Sequence, residues 1–240
     1  MEIRKLVAPL ALWDAEGHNR STIARMDHRK QLSVERIVLF SDAVFAIAIT
    51  LLVIELRAPE VQSNAEAWQF LQRSLPKFLG FTLSFFVIGI FWLSHHRLFG
   101  YLADFNTKML WLNLLMLFTI AIMPFSTAFY SENPIGTVPY LLYSANVFAA
   151  SVANAWLWRY VTSPLSGLSA GIENARSRKY LLRVTLVAPA VWALGLALGV
   201  VELFFPSEPL IQLNRSIYLL LFPCFAILSR RYRDIAQTIK

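Results

Sequence analysis

Cysteine is nearly absent from this 240-residue chain, and the single Cys224 excludes a disulfide framework and any cysteine-rich metal centre. Charge is scarce as well: Asp, Glu, Lys and Arg make up 15% of residues, against about 25% in ordinary soluble domains. No nucleophile–base pair, phosphate-cradling glycine loop or zinc motif is present, which argues against an enzyme, a membrane-embedded one included. His95 and His96 are adjacent, so a helix turns them to different sides, and no neighbouring carboxylate or cysteine completes a metal site. What the chain holds in excess is apolar residues, 57% of the total, in several runs near twenty that carry no charge. Such runs are long enough to cross a hydrocarbon core of about 30 Å, and too continuously apolar for barrel strands. The surplus of 22 Lys and Arg over 15 Asp and Glu lies between the runs, where it speaks of membrane topology rather than nucleic acid. The expected solvent of this chain is a lipid bilayer.

Six spanning helices are predicted, giving an all-α polytopic protein with one six-helix repeat per chain. They cover 37–56, 78–94, 109–131, part of 133–158, 184–201 and the stretch between Glu208 and Arg230. Residues 1–35 form a polar tail, 36–230 the membrane domain, and 231–240 a second tail. Residues 60–75 suit a short interfacial helix carrying Trp68 and Phe70. Pro189 and Pro223 are expected to kink the last two helices, and Arg215 to snorkel to an interface. Gly195-x-x-x-Gly199 favours close helix contact. With both termini inside, eighteen of the 22 Lys and Arg face the cytoplasm. Only Arg57, Arg73, Lys77 and Arg215 are outside, among acidic residues that include Glu55, Glu132, Glu202 and Glu208. That bias assigns an N-in/C-in topology. Gly136-Thr-Val-Pro-Tyr140 is superficially like a Thr-Val-Gly-Tyr-Gly filter, but it lacks both glycines and has no pore helix before it; it reads as an outer turn.

The first helix is the unusual one. Asp42 lies more than one turn inside its apolar run, where a carboxylate is costly without a partner. His95 and His96, ending the second helix, fall at nearly the same depth, so a network joining Ser41 and Asp42 to the histidines is expected. Arg36 is about 120° around the helix from Asp42, and should reach another helix or another subunit instead. Asn113, Asn146 and Asn154 are expected to bond across helices. On the far side from Asp42, Ile47, Leu51 and Ile54 fall within about 60° of one another, with Thr50 at the edge of the stripe. Such a stripe suits lipid, packing or a pore equally.

Arg36-x-x-x-Phe40-Ser41-Asp42 followed by Ala-Val-Phe-Ala-Ile-Ala-Ile-Thr resembles the signature of the endolysosomal potassium channel family and its prokaryotic relatives. Trp92-x-x-His95-His96, Asn113 and Met123-Pro-Phe-Ser-Thr-Ala128 extend the resemblance, which is specific over roughly 36–130. It implies a homotetrameric, potassium-permeable cation channel, one repeat per subunit, in the plasma membrane of a prokaryote. The central pore would be lined by four copies of the first helix. Ile47, Leu51 and Ile54 match the family's pore-lining positions and Thr50 its polar pore position. No cofactor is implied, only potassium as the permeant monovalent cation. A ring of aliphatic side chains cannot replace a hydration shell, so it would gate by closing and dewetting. Four copies of Glu55 at the outer mouth would concentrate cations, unless Glu55 is simply solvated beside Arg57. The competing reading is a proton- or ion-coupled secondary transporter with Asp42 and the histidines as a relay. Against it, no inverted repeat and no helix broken by paired glycines is evident.

Overall fold

The computed structural model describes residues 31–170 and 175–216, all of whose regular elements are helical. Helix α1 (Gln31–Glu55) ends in a tighter 3-10 turn over Leu52–Glu55. It is followed by α2 (Asn64–Phe99), α3 (Thr107–Glu132), α4 (Thr137–Val161), α5 (Ala175–Phe204) and α6 (Glu208–Ser216). The expected sixth span beyond Ser216, with Pro223, and both terminal tails outside 31–216 lie outside the described residues, whereas Pro189 is inside α5.

Local chemistry sets the helix starts. Ser63 caps α2, its Oγ accepting from the Glu66 amide at 3.2 Å, while the Glu66 carboxylate reaches back to the Gln62 amide at 2.8 Å. Asn106 caps α3 through the Met109 amide at 2.9 Å. The stretch 60–75 is therefore not a separate interfacial helix: from Asn64 onward it is the first part of α2, which continues through Pro76. At 1.5 Å per residue, α2 is about 54 Å long, well beyond a hydrocarbon core of about 30 Å, so one end stands out of it.

Packing runs in chain order. Helix α4 lies between α3 and α5, α2 packs on α3, and the end of α1 rests on both α2 and α3. The core has Ile88, Leu98, Met109, Met116, Ile120, Met123, Val147 and Leu157 fully buried. Four helices among the described residues are long and apolar enough to cross a membrane: Gln31–Glu55, Asn64–Phe99, Thr107–Glu132 and Arg178–Phe204. Helix α4 falls short of that apolarity because it carries Asn146, Asn154, Ser144 and Ser151. It is the inner helix, and these groups find partners inside the bundle, as Asn146 does on Ser126 and Asn154 on Ser94. Many large side chains that point outward are apolar, among them Leu79, Phe86, Trp111, Phe118 and Phe125, as a lipid-facing surface requires.

The loops at one end are tied together. Ala103 and Asp104 donate their amides to the Leu168 carbonyl, and the Ala170 amide donates to Tyr101. Gly167 supplies the positive φ of 66° that this loop needs. The helix ends at Glu55 and Glu132 meet at the other end of the bundle.

Candidate pore helix and its anchorage

Helix α1 has two unlike faces. Phe45, Ala48 and Leu52 are 1–2% exposed and join the core. Ile47, Leu51 and Ile54 are 58%, 41% and 57% exposed, and Thr50 is exposed beside them. The four stripe residues thus share one bare face of the subunit. Thr50 Oγ1 lies 3.0 Å from the Ala46 carbonyl and 2.9 Å from that of Ile47. Its proton is therefore turned into its own helix, which leaves the oxygen lone pairs as the outward-facing feature.

The buried face is fixed by a directed chain of hydrogen bonds. Asn113 on α3 stands between Ser41 and His95. Its Oδ1 is 2.9 Å from His95 Nε2, and its Nδ2 donates to Ser41 Oγ at 3.0 Å. Because Oδ1 can only accept, His95 carries a proton on Nε2. Ser41 then donates to the Ile37 carbonyl at 2.9 Å. Three helices are joined with every one of these groups satisfied. His95 is further clamped by Phe99, stacked at 4.0 Å between ring centroids, and by Phe45 at 5.5 Å.

Asp42 departs from expectation. Its Oδ1 accepts from Trp92 Nε1 at 2.9 Å rather than from a histidine. The Ser41–histidine link is present, but only through Asn113. His96 is exposed and lies against the Trp92 ring, with centroids 5.5 Å apart, so His95 and not His96 joins the buried network. Trp92 was visible in the sequence as part of the second-helix motif. Its indole is a donor-only group at the depth of Asp42, a signal that could have paired the two. Arg36 and Phe40 are exposed on the outward side of α1, away from the network, and Arg36 has no ion-pair partner among the described residues. A second polar knot, Trp158 Nε1 donating to Ser94 Oγ (2.9 Å) and Ser94 to Asn154 (3.0 Å), ties α2 to α4.

A third cluster was not foreseen. Glu202, expected in an outer loop, is 1% exposed inside α5. It accepts from Thr137 (2.7 Å), Asn214 (3.1 Å) and both terminal nitrogens of Arg215 (3.0 and 3.1 Å). Arg215 does not snorkel; it turns inward over the Tyr140 ring, 3.9 Å from its centroid, because the pair and the ring face offset its desolvation. Gly136–Tyr140 is correspondingly no turn but the cap and first turn of α4, with Thr137 and Tyr140 in this cluster. Gly199 permits the approach: a Cβ there would meet Leu141 Cδ2 at 2.7 Å. Glu55 is half-buried at the end of α1, beside Lys77 and Glu132, which pair at 3.0 Å.

Residues 36–124 match the family model described as endosomal/lysosomal potassium channel TMEM175. A potassium channel of Streptomyces collinus is 34% identical over 179 residues, 73% of this chain and 84% of that protein. The endosomal/lysosomal proton channel TMEM175 of Rattus norvegicus is 23% identical over 84% of this chain, which spans 40% of its length. Among solved structures, a lysosomal potassium-selective channel TMEM175 homologue from Chamaesiphon minutus superposes with a TM-score of 0.66 at 25% identity. The match covers 82% of this chain and 98% of that one.

Proposed function

This chain belongs to the TMEM175 family of potassium channels, and from that premise we propose that α1 is the pore helix. The protein is a potassium-permeable channel in a membrane that it crosses several times. In our reading four identical subunits surround one axis and each turns its Ile47–Thr50–Leu51–Ile54 face inward. The observation that carries this is the contrast within α1: one face locked to α2 and α3, the opposite face bare, aliphatic and bearing one hydroxyl. Ile47, the stripe residue farthest from Glu55, would form the narrowest apolar ring. Thr50 would offer lone pairs to a partly hydrated cation, and Glu55 would stand at the outer mouth.

The bundle would span six times, N-in and C-in, in a plasma membrane. The linked loops 101–106 and 163–170 would lie on the cytoplasmic side with Arg97, Lys108 and Arg159. No cofactor is needed. A coupled transporter built on an Asp42–histidine relay is disfavoured by the same geometry, because Asp42 is bonded to Trp92 and the histidine that is buried answers to Asn113.

The deciding measurement is potassium flux into liposomes containing purified, tetrameric protein. A polar group in an apolar constriction lowers the dewetting barrier with little change in size, so Ile47→Asn should raise resting flux several-fold. Ile47→Ala, which widens the ring, should do the same. If Ile47→Asn assembles normally and conducts no better than the parent, this face is not the gate.

A further inference from the structure

Where α1 and α3 finish, a cleft of about 510 Å³ opens between the end of α1 and the first half of α2, a volume within the usual range of small-molecule sites, about 300–1,000 Å³. Ser74 is 8% exposed and lines the cleft. A smaller pocket that shares Glu55, Lys77 and Glu132 with the cleft reaches Ser131, whose Oγ is buried with no hydrogen-bond partner among the described residues. A buried hydroxyl without a partner is uncommon and points to a ligand.

The charges come in opposite pairs. Lys77 and Arg57 are cationic, Glu55 and Glu132 anionic, and Lys77 and Glu132 already touch at 3.0 Å. An apolar edge of Phe70, Leu71 and Phe78 completes the cleft. A lining with no net charge repels neither end of a zwitterion, whereas a purely anionic or purely cationic ligand would face two like charges. The level of the cleft matters too. Two spans end there while α2 continues past them, which is the depth of lipid headgroups at a bilayer boundary.

We propose that this cleft is a phospholipid site for a zwitterionic headgroup with a primary ammonium, the phosphoethanolamine class, drawn from the surrounding bilayer. The phosphate takes the Ser74 hydroxyl, Lys77 and Arg57; the ammonium donates to Glu55 and Glu132; the glycerol end and first methylenes lie on Phe70 and Phe78. A quaternary ammonium has no N–H to give the carboxylates, so phosphocholine fits less well. The assignment does not depend on α1 lining a pore: headgroup binding and conduction are read by different experiments.

The test is native mass spectrometry of the full chain in mild detergent, with phosphatidylethanolamine, phosphatidylcholine and phosphatidylglycerol each added at equal concentration. Phosphatidylethanolamine should be retained about fivefold or more over the other two. That preference should vanish in Ser74→Leu, which fills the cleft. It should persist in Gly89→Ala on the same helix, where a Cβ would meet nothing within 4 Å. Glu55→Gln, a milder change, should bring phosphatidylethanolamine toward the phosphatidylcholine level and guards against misfolding of the first variant. Equal retention of the three lipids, stronger retention of phosphatidylglycerol, or a preference that survives both Ser74→Leu and Glu55→Gln overturns the proposal.

Discussion

Around Ser41, the polar groups buried between α1, α2 and α3 are hydrogen-bonded one to one, whereas those between α4, α5 and α6 close on an ion pair. In the first cluster each donor meets one acceptor: His95 on Asn113, Asn113 on Ser41, Ser41 on a backbone carbonyl. In the second, a single buried carboxylate takes four hydrogen bonds from three residues. Networks of the first kind are worth about 1 kcal/mol per bond and can be remade in a neighbouring arrangement. A buried charge with its countercharge cannot be released piecemeal. The difference teaches where movement belongs. The helix that carries the bare aliphatic face is held by exchangeable bonds, and the α5–α6 hairpin is clamped. Mobile elements of a protein are drawn from its less strongly held regions.

The largest effect should come from breaking the clamp. Glu202→Ala strands the Arg215 guanidinium, already lacking a partner at Nε, and should cost about 3–5 kcal/mol. In detergent this reads as a large fall in melting temperature and loss of a monodisperse peak. Glu202→Met combined with Arg215→Met removes both charges and should recover most of that loss. If the double variant melts as low as the single, charge is not what separates the two clusters.

Next in size are the links to α1. Asn113→Leu leaves the buried His95 Nε2–H without an acceptor and removes the donor to Ser41 Oγ, which keeps its own bond to Ile37, at about 1–3 kcal/mol. Asp42→Ala strands the Trp92 indole N–H; Trp92 is only half-buried, so its cost belongs at the lower end of that range. Both should change resting flux more than potassium-over-sodium preference, since neither side chain shares the face of Ile47 and Thr50. A change in ion preference with unaltered gating would place Asp42 on the conduction path.

The two clusters also differ in how far the sequence disclosed them. Ser41, Asp42, His95 and Asn113 stand in recurrent motifs on strongly apolar helices, where any polar side chain is conspicuous. The face of α1 that carries Ile47, Leu51 and Ile54 was legible for the same reason, from helical periodicity. Hydropathy misjudged the other end because it counts charge without partners. Glu202 and Arg215 looked like loop and interface residues, yet thirteen positions apart they return to each other across the α5–α6 turn. Thr137 and Tyr140, hidden in a stretch that resembles a turn, come from a third helix. The reading of 60–75 as a separate interfacial helix failed for another reason: Ser63 and Glu66 mark a true helix start, but periodicity gives no sign that the helix passes through Pro76 unbroken.

The smallest effect concerns Glu55, the carboxylate at the C-terminal end of α1. Four copies around an axis would raise the local cation concentration, but Lys77 faces the same cleft and offsets part of each charge. Glu55→Gln keeps the side chain's size and removes only the charge. Attraction of this kind acts through solvent and is screened over about 10 Å at 0.1 M salt and 30 Å at 0.01 M. Conductance should therefore fall by no more than about twofold at 0.01 M and converge with the parent at 1 M, where the screening length is about 3 Å. The measurement belongs in phosphatidylcholine vesicles, so that no primary ammonium competes for the carboxylate. A drop that is equal at low and high salt would mean that Glu55 acts on the 3-10 turn it terminates rather than on the ions, and would move it from the mouth to the machinery that positions α1.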